Sequence, residues 1–167
     1  DPLEARLAAT LHGRELTVRS ADGTELHAEV HGEERAPTVV LVHGWTCAIG
    51  FWTLQIQELV EAGLRVVAYD QRGHGRSGRP AGGDYAMERF AQDLAAVLGA
   101  TLADGERALV AGHSLGAMTI VALASEQPEV VRERLAAAAL LNTGVGDLVS
   151  ESLVVRAPAS VTAVVGR

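Results

Sequence analysis

Arg107-Ala108-Leu109-Val110-Ala111-Gly112-His113-Ser114-Leu115-Gly116-Ala117 is the stretch on which the reading of this chain turns. Its first five residues are apolar after Arg107 and suit a strand covered on both faces. From Leu115 to Glu126 the chain is rich in Ala and favours a helix, with a stop before Pro128. Between the two, Gly112 and Gly116 flank Ser114 and allow a sharp turn with close packing. A serine placed there is held in a strained conformation with its hydroxyl above the sheet. The helix behind it aims backbone donors and the positive end of its dipole at any anion forming there. An ordinary turn serine is the competing reading, and the strand before and the helix after favour a nucleophile.

Working outward, the same alternation recurs. Val39-Val40-Leu41-Val42 reads as a buried strand that ends in His43-Gly44-Trp45-Thr46. A helix is expected over Phe51–Ala62, stopped by Gly63 in a left-handed C-cap. Arg65–Tyr69 is a second buried strand, followed by a Gly-rich loop from Asp70 to Gly83. Asp84 is placed to cap a helix from Tyr85 to about Leu98. That helix would turn Phe90, Leu94, Val97 and Leu98 inward, keep Glu88, Arg89, Gln92 and Asp93 off the buried face, and close at Gly99. Leu135–Leu141 reads as another central strand. Strand and helix in strict alternation predict an α/β protein, a parallel sheet between two layers of helices, with its site at the carboxyl ends of the strands.

The N-terminal part differs. Leu16–Arg19 and Glu25–Val30 form a hairpin around Ala21-Asp22-Gly23-Thr24. Leu26, Ala28 and Val30 point to one side, and Glu25, His27, Glu29 and His31 to the other, which is read as the solvent face. A metal site there would need further ligands that the segment does not supply. Leu3, Leu7 and Leu11 lie four apart, as in a short amphipathic helix. After Asn142 the pattern fades, with a helix possible near Asp147, a break at Ala157-Pro158 and a short strand or tail over Ser160–Val165.

Composition narrows the function. The 167 residues carry 21 acidic side chains against 14 basic ones, all Arg, for a formal charge of −7. No basic run suits nucleic acid, and the absence of Lys excludes Schiff-base chemistry on this chain. One cysteine, Cys47, forms no internal disulfide framework. No stretch is long and apolar enough for a transmembrane helix. Asp1-Pro2-Leu3-Glu4 lacks the features of a signal peptide, which slightly favours the cytoplasm, although a chain opening at Asp1 is also what processing leaves.

Two further stretches bear on chemistry. An acyl-transfer site needs two donors on the developing oxyanion; Leu115 N–H supplies one, and the backbone N–H of Trp45 is the natural second. His43, where a strand ends and the chain turns away, reads as a structural hydrogen-bonding residue rather than a base. Asp70-Gln71-Arg72-Gly73-His74-Gly75-Arg76-Ser77 lacks the spacing of a phosphate loop or a dinucleotide fingerprint. It reads as a tight loop that braces the site without touching substrate.

Together His43-Gly44-Trp45, Asp70–Ser77 and Gly112–Gly116 resemble the oxyanion loop, the Asp-x-Arg-Gly-x-Gly-x-Ser loop and the nucleophile elbow of the α/β-hydrolase fold. The resemblance covers roughly residues 16–142. It implies a three-layer α/β/α sandwich, incomplete at its C-terminal side, with 1–142 as the first part of the core and 143–167 as the start of a lid or a tail. It also implies Ser114 as nucleophile, Trp45 and Leu115 as oxyanion donors, a small acyl-containing substrate, and no metal or cofactor. Members with an Asp nucleophile, such as epoxide hydrolases and haloalkane dehalogenases, are disfavoured by Ser114.

The family's acid and histidine follow its serine, whereas the last histidine here is His113. Asp147 and Glu151, the acids after Leu141, read as lid or surface residues. A base and acid carried on a missing C-terminal segment or a companion chain are therefore expected. The competing reading is a non-catalytic binding or structural protein that keeps part of the fold. Within enzymes, cofactor-free perhydrolases, iminopeptidases and carbon–carbon hydrolases remain alternatives to an esterase.

Overall fold

The computed structural model describes Asp1 and residues 13–144. The helix expected over Leu3–Leu11, the helix near Asp147, the acids Asp147 and Glu151, the tail strand over Ser160–Val165 and the lid-like stretch from residue 145 onward lie outside the described residues.

The hairpin is present as β1 (Arg14–Arg19) and β2 (Glu25–His31), turned where Gly23 takes a φ of 86°. β3 (Thr38–Val42) leads through a 3-10 turn (Ile49–Trp52) into α1 (Thr53–Glu61). Past the end of α1, Gly63 adopts φ 81° and donates to Val60 O while Leu64 N–H donates to Leu59 O, so the last carbonyls of the helix are satisfied. β4 (Arg65–Tyr69), α2 (Met87–Thr101), β5 (Ala108–His113), α3 (Leu115–Glu126), α4 (Pro128–Arg134) and β6 (Leu135–Leu141) follow.

All six strands join one sheet in the order β1-β2-β4-β3-β5-β6. β1, β2 and β4 pair antiparallel, and β4, β3, β5 and β6 pair parallel. On one face Leu94, Val97 and Leu98 of α2 and Ile120 and Leu123 of α3 pack against Val40, Val42, Val67 and Val110. On the other, Ile49, Trp52 and Ile56 pack against Val39, Leu41, Val66 and Ala68. Successive strand side chains face opposite ways, so β3 and β4, buried along their whole length, need an apolar residue at almost every position. Among the described residues no helix is long and apolar enough to cross a membrane.

Five sequence expectations are corrected here. Gly99 does not close its helix, which runs to Thr101. Glycine costs about 1 kcal/mol in a helix, less than the roughly 1.5–3 kcal/mol that burying a leucine contributes, and continuing the helix past Gly99 delivers Leu102, the residue that follows it, into the core. Asp84 lies two residues before the N-cap Ala86 and binds Ala86 N–H at 3.1 Å and Arg89 Nε at 2.8 Å. His27 and His31 are buried, not on the solvent face: Gly13 lies against the His31 ring, Ser77 Oγ accepts His27 N–H, and the Glu29 carboxylate between the two rings accepts from both at 3.1 Å. Leu135–Leu141 is the edge strand among the described residues, with Leu140 and Leu141 41% and 43% exposed. Its apolar composition fits a central strand, but no described element covers it.

The fifth concerns Asp93, which is fully buried on the inner face of α2. It takes a two-pronged bond from the fully buried Arg72, Nε to Oδ2 at 2.6 Å and Nη2 to Oδ1 at 2.7 Å. Arg72 also reaches Asp22 Oδ2 at 2.9 Å and Asp84 O at 3.1 Å, tying the hairpin turn and the start of α2 to the loop after β4. Arg72→Met strands the Asp93 carboxylate in the core. It is expected to lower the unfolding free energy by about 3–5 kcal/mol in a urea titration, and a loss below about 1 kcal/mol contradicts the buried pair.

Candidate active site

The turn from β5 into α3 is made by Ser114 alone. Its φ of 50° and ψ of −113° lie where a residue with a side chain is strained. Its N–H donates to Leu141 O at 2.9 Å, and its carbonyl accepts from Ala117 and Met118 N–H at 3.0 and 3.1 Å. The side chain does not cap α3, so the hydroxyl is not committed to the helix it precedes. Both flanking glycines are required by contact. A Cβ on Gly112 would lie 2.5 Å from the Gly116 backbone, and one on Gly116 would overlap Val42 O.

Where β3 ends, His43 is completely buried with both ring nitrogens engaged. Nδ1 bonds Gly44 O at 2.8 Å, and Nε2 accepts Gln71 N–H at 3.0 Å, which defines a neutral ring. Gln71 returns a bond from Nε2 to His43 O at 2.7 Å and accepts Thr119 Oγ1 at 2.8 Å, linking β3, the loop after β4 and α3. Burial pushes the His43 pKa below its ordinary value, against the opposing pull of Gly44 O and Asp70. Asp70 Oδ1 stands 3.9 Å from Nε2, but beside a neutral ring this is no ion pair. The structural reading of His43 is therefore the one its bonds support.

Asp70, Arg72 and Ser77 all turn inward. Asp70 accepts Ile49 N–H and Arg76 N–H, each at 2.8 Å. Ser77 Oγ donates to Asp70 O at 2.5 Å and accepts His27 N–H at 2.9 Å. These residues brace the loop as expected. On its other side the same loop contributes Gly73, His74, Gly75 and the following Arg79 to the lining of a cavity. Gly73 and Gly75, with φ of 73° and 48°, flank His74, whose ring meets the buried His43 edge-on at 5.4 Å.

That cavity has a volume of about 600 Å³ and brings Trp45 and Leu115 into one wall. Trp45 is 69% exposed and meets the His74 ring edge-on at 6.3 Å, whereas Leu115 is buried. Ser114 precedes Leu115 and does not itself line the cavity. No histidine among the described residues bonds Ser114: His74 gives Nδ1 to Arg72 O at 2.9 Å, and His43, His27 and His31 are engaged as above. His113, passed over in the sequence, stacks on Phe51 with centroids 4.9 Å apart, and its buried Nδ1 has no partner. The period of two along β5 was the available signal, since it puts His113 on the same face as Ala111, toward the 3-10 turn.

Potential metal donors converge at one place among the described residues, where one atom each of Glu15, His27 and Glu29 lie within 4.8 Å of one another. Glu15 is already bonded by Arg76 at 2.6 and 2.8 Å, and His27 by Glu29, so the cluster satisfies itself.

Residues 37–159 match the family described as the alpha/beta hydrolase fold, and the chain belongs to that family. It is 36% identical over 118 residues to the AB hydrolase superfamily protein YfhM of Bacillus subtilis, covering 70% of this chain and 41% of that protein. It is 37% identical over 122 residues to epoxide hydrolase A of Mycobacterium tuberculosis, covering 72% of this chain and 36% of that protein. Among solved structures, Est816, described as an N-acyl homoserine lactone degrading enzyme, superposes with a TM-score of 0.71 at 28% identity, over 89% of this chain and 51% of that one. The chain spans about two-fifths of the length of the first curated relatives it matches.

The histidines set a pH dependence of stability. Burial lowers the pKa of His43 and of His31 from the ordinary 6.5, in His31 against Glu29. Above that value both rings are neutral folded or unfolded, and their contribution is complete. As pH falls below it, the unfolded chain takes up protons that the folded chain refuses, so stability falls. The melting temperature is expected to drop steadily from pH 6.5 to 5.5, less steeply in His31→Gln. A rise over that window contradicts the assignment.

Proposed function

We propose that the protein hydrolyses a carboxylic ester or related acyl compound through an acyl-enzyme on Ser114. The observation that carries this reading is the strained conformation of Ser114 between β5 and the twelve-residue α3. Oγ attacks the carbonyl carbon as a base takes its proton. The backbone N–H groups of Leu115 and Trp45 are proposed to hold the resulting oxyanion, in keeping with their place on one cavity wall. The intermediate expels the alcohol, which recovers the proton, and water then releases the acid by the same route.

Serine also argues against the epoxide-opening chemistry named for one relative. A carboxylate that opens an epoxide leaves an ester that water can cleave. A serine would leave an ether, which would trap the enzyme.

No histidine follows His113 in the sequence, and those whose bonds are described serve structural partners. The base and its orienting acid are therefore proposed to come from polypeptide outside these 167 residues. Placed beside β6, whose apolar residues are exposed, that polypeptide would extend the sheet.

Treatment of the full-length protein with a fluorophosphonate is expected to leave one adduct, mapped to Ser114 by mass spectrometry. Ser114→Ala should abolish it and lower ester hydrolysis at least about 10³-fold. An adduct on another serine with Ser114 unmodified, or unchanged activity in Ser114→Ala, contradicts the reading. The second outcome is the one expected of a non-catalytic binding protein.

A further inference from the structure

The proposed acyl chemistry leaves one feature of the cavity unused. Of the side chains that line it, Arg79 alone carries a formal charge. It is exposed, and among the described residues it makes no hydrogen bond and no ion pair. Its neighbours in sequence behave otherwise: Arg72 holds Asp93 and Asp22, and Arg76 holds Glu15. Trp45, Tyr85, Met87, Phe90 and Leu115 line the same cavity beside the polar Thr46 and His74, so a ligand whose anion reaches Arg79 would also meet apolar surface. In a chain of net charge −7, an unpaired guanidinium is also a local exception to a field that repels anions.

A guanidinium presents a planar fork that matches the two oxygens of a carboxylate. Phosphate recognition draws on several cations or a helix N-terminus, and the wall supplies neither beyond Arg79 and the start of α3 that is assigned to the oxyanion. The aromatic and aliphatic side chains that line the same cavity suit an apolar spacer.

We propose that the cavity is a subsite for a carboxylate carried on an apolar chain, with Arg79 as the residue that selects it. Resting on the acyl-hydrolase reading, this assigns the substrate class: an ester whose acyl part bears a second, free carboxylate, such as a half-ester of a dicarboxylic acid. Arg79 touches the remote carboxylate and takes no part in bond cleavage. A charge-assisted hydrogen bond is worth about 10- to 100-fold in affinity.

The test is binding rather than turnover, so that it stands apart from the fluorophosphonate result. Calorimetric titration of the full-length protein with 4-phenylbutyrate and with 4-phenylbutyramide compares a charged and an uncharged ligand of one shape. The acid is expected to bind at least about 10-fold tighter than the amide. Arg79→Gln should remove that preference while leaving the amide unchanged, and Arg79→Lys should restore part of it. Equal affinity for acid and amide, a preference that survives Arg79→Gln, or no binding of either at millimolar concentration overturns the subsite. Failure of Ser114 labelling with the acid preference intact would instead overturn the hydrolase reading and leave the anion subsite standing.

Discussion

The backbone of α3 lies so close to β3 and β5 that no side chain fits between them at Gly112 or Gly116. Everything at the carboxyl edge of the sheet follows from that contact. It forces the reversal at Ser114 into one residue, which is why a serine with φ 50° stands there in place of a glycine-rich turn. It brings Thr119 of α3 within reach of Gln71, and through Gln71 to His43, so the end of β3, the loop after β4 and α3 share one set of hydrogen bonds. It also places Leu115 at the cavity that Trp45 lines.

Polar groups in the interior serve this arrangement instead of competing with it. His43, Gln71, Arg72 and Asp93 are all fully buried, and each has its bonds inside the protein. Unpaired, any of them would cost several times the worth of an average hydrogen bond. Paired, they fix the loop after β4 against both the hairpin and α2. The residues between the braces, His74 first and Arg79 beyond them, are then free to face the cavity. Rigidity on the inner side of the loop holds these lining residues in place.

The parallel strands, the hairpin and α3 were legible from the chain alone, because buried strands in a parallel sheet carry an unbroken apolar run and the turn residues flanking them are few. The bounds of α3, Leu115–Glu126, and of β6, Leu135–Leu141, match the sequence reading. So does the left-handed Gly63. The sharp turn at Ser114 was legible because its flanking glycines answer a steric demand that no other residue meets.

What escaped the sequence depended on partners far away along the chain. Asp93 reads as a polar residue beside an apolar stripe until Arg72, 21 positions earlier, arrives with a matching fork. His27 and His31 read as solvent-facing by alternation, yet both are buried, with Gly13 against the His31 ring and Ser77 bonded to the His27 backbone from 50 positions on. Alternation reports which side of a strand a residue faces, and only packing decides whether that side is covered. The same holds for the cavity: Trp45, His74, Arg79, Tyr85 and Leu115 come from four separate stretches, and no spacing within any one of them announces the wall they form. Local pattern settles which elements form because it acts through neighbouring residues. The meeting of side chains from distant stretches is settled by how those elements pack, and it is there that the candidate site takes its shape.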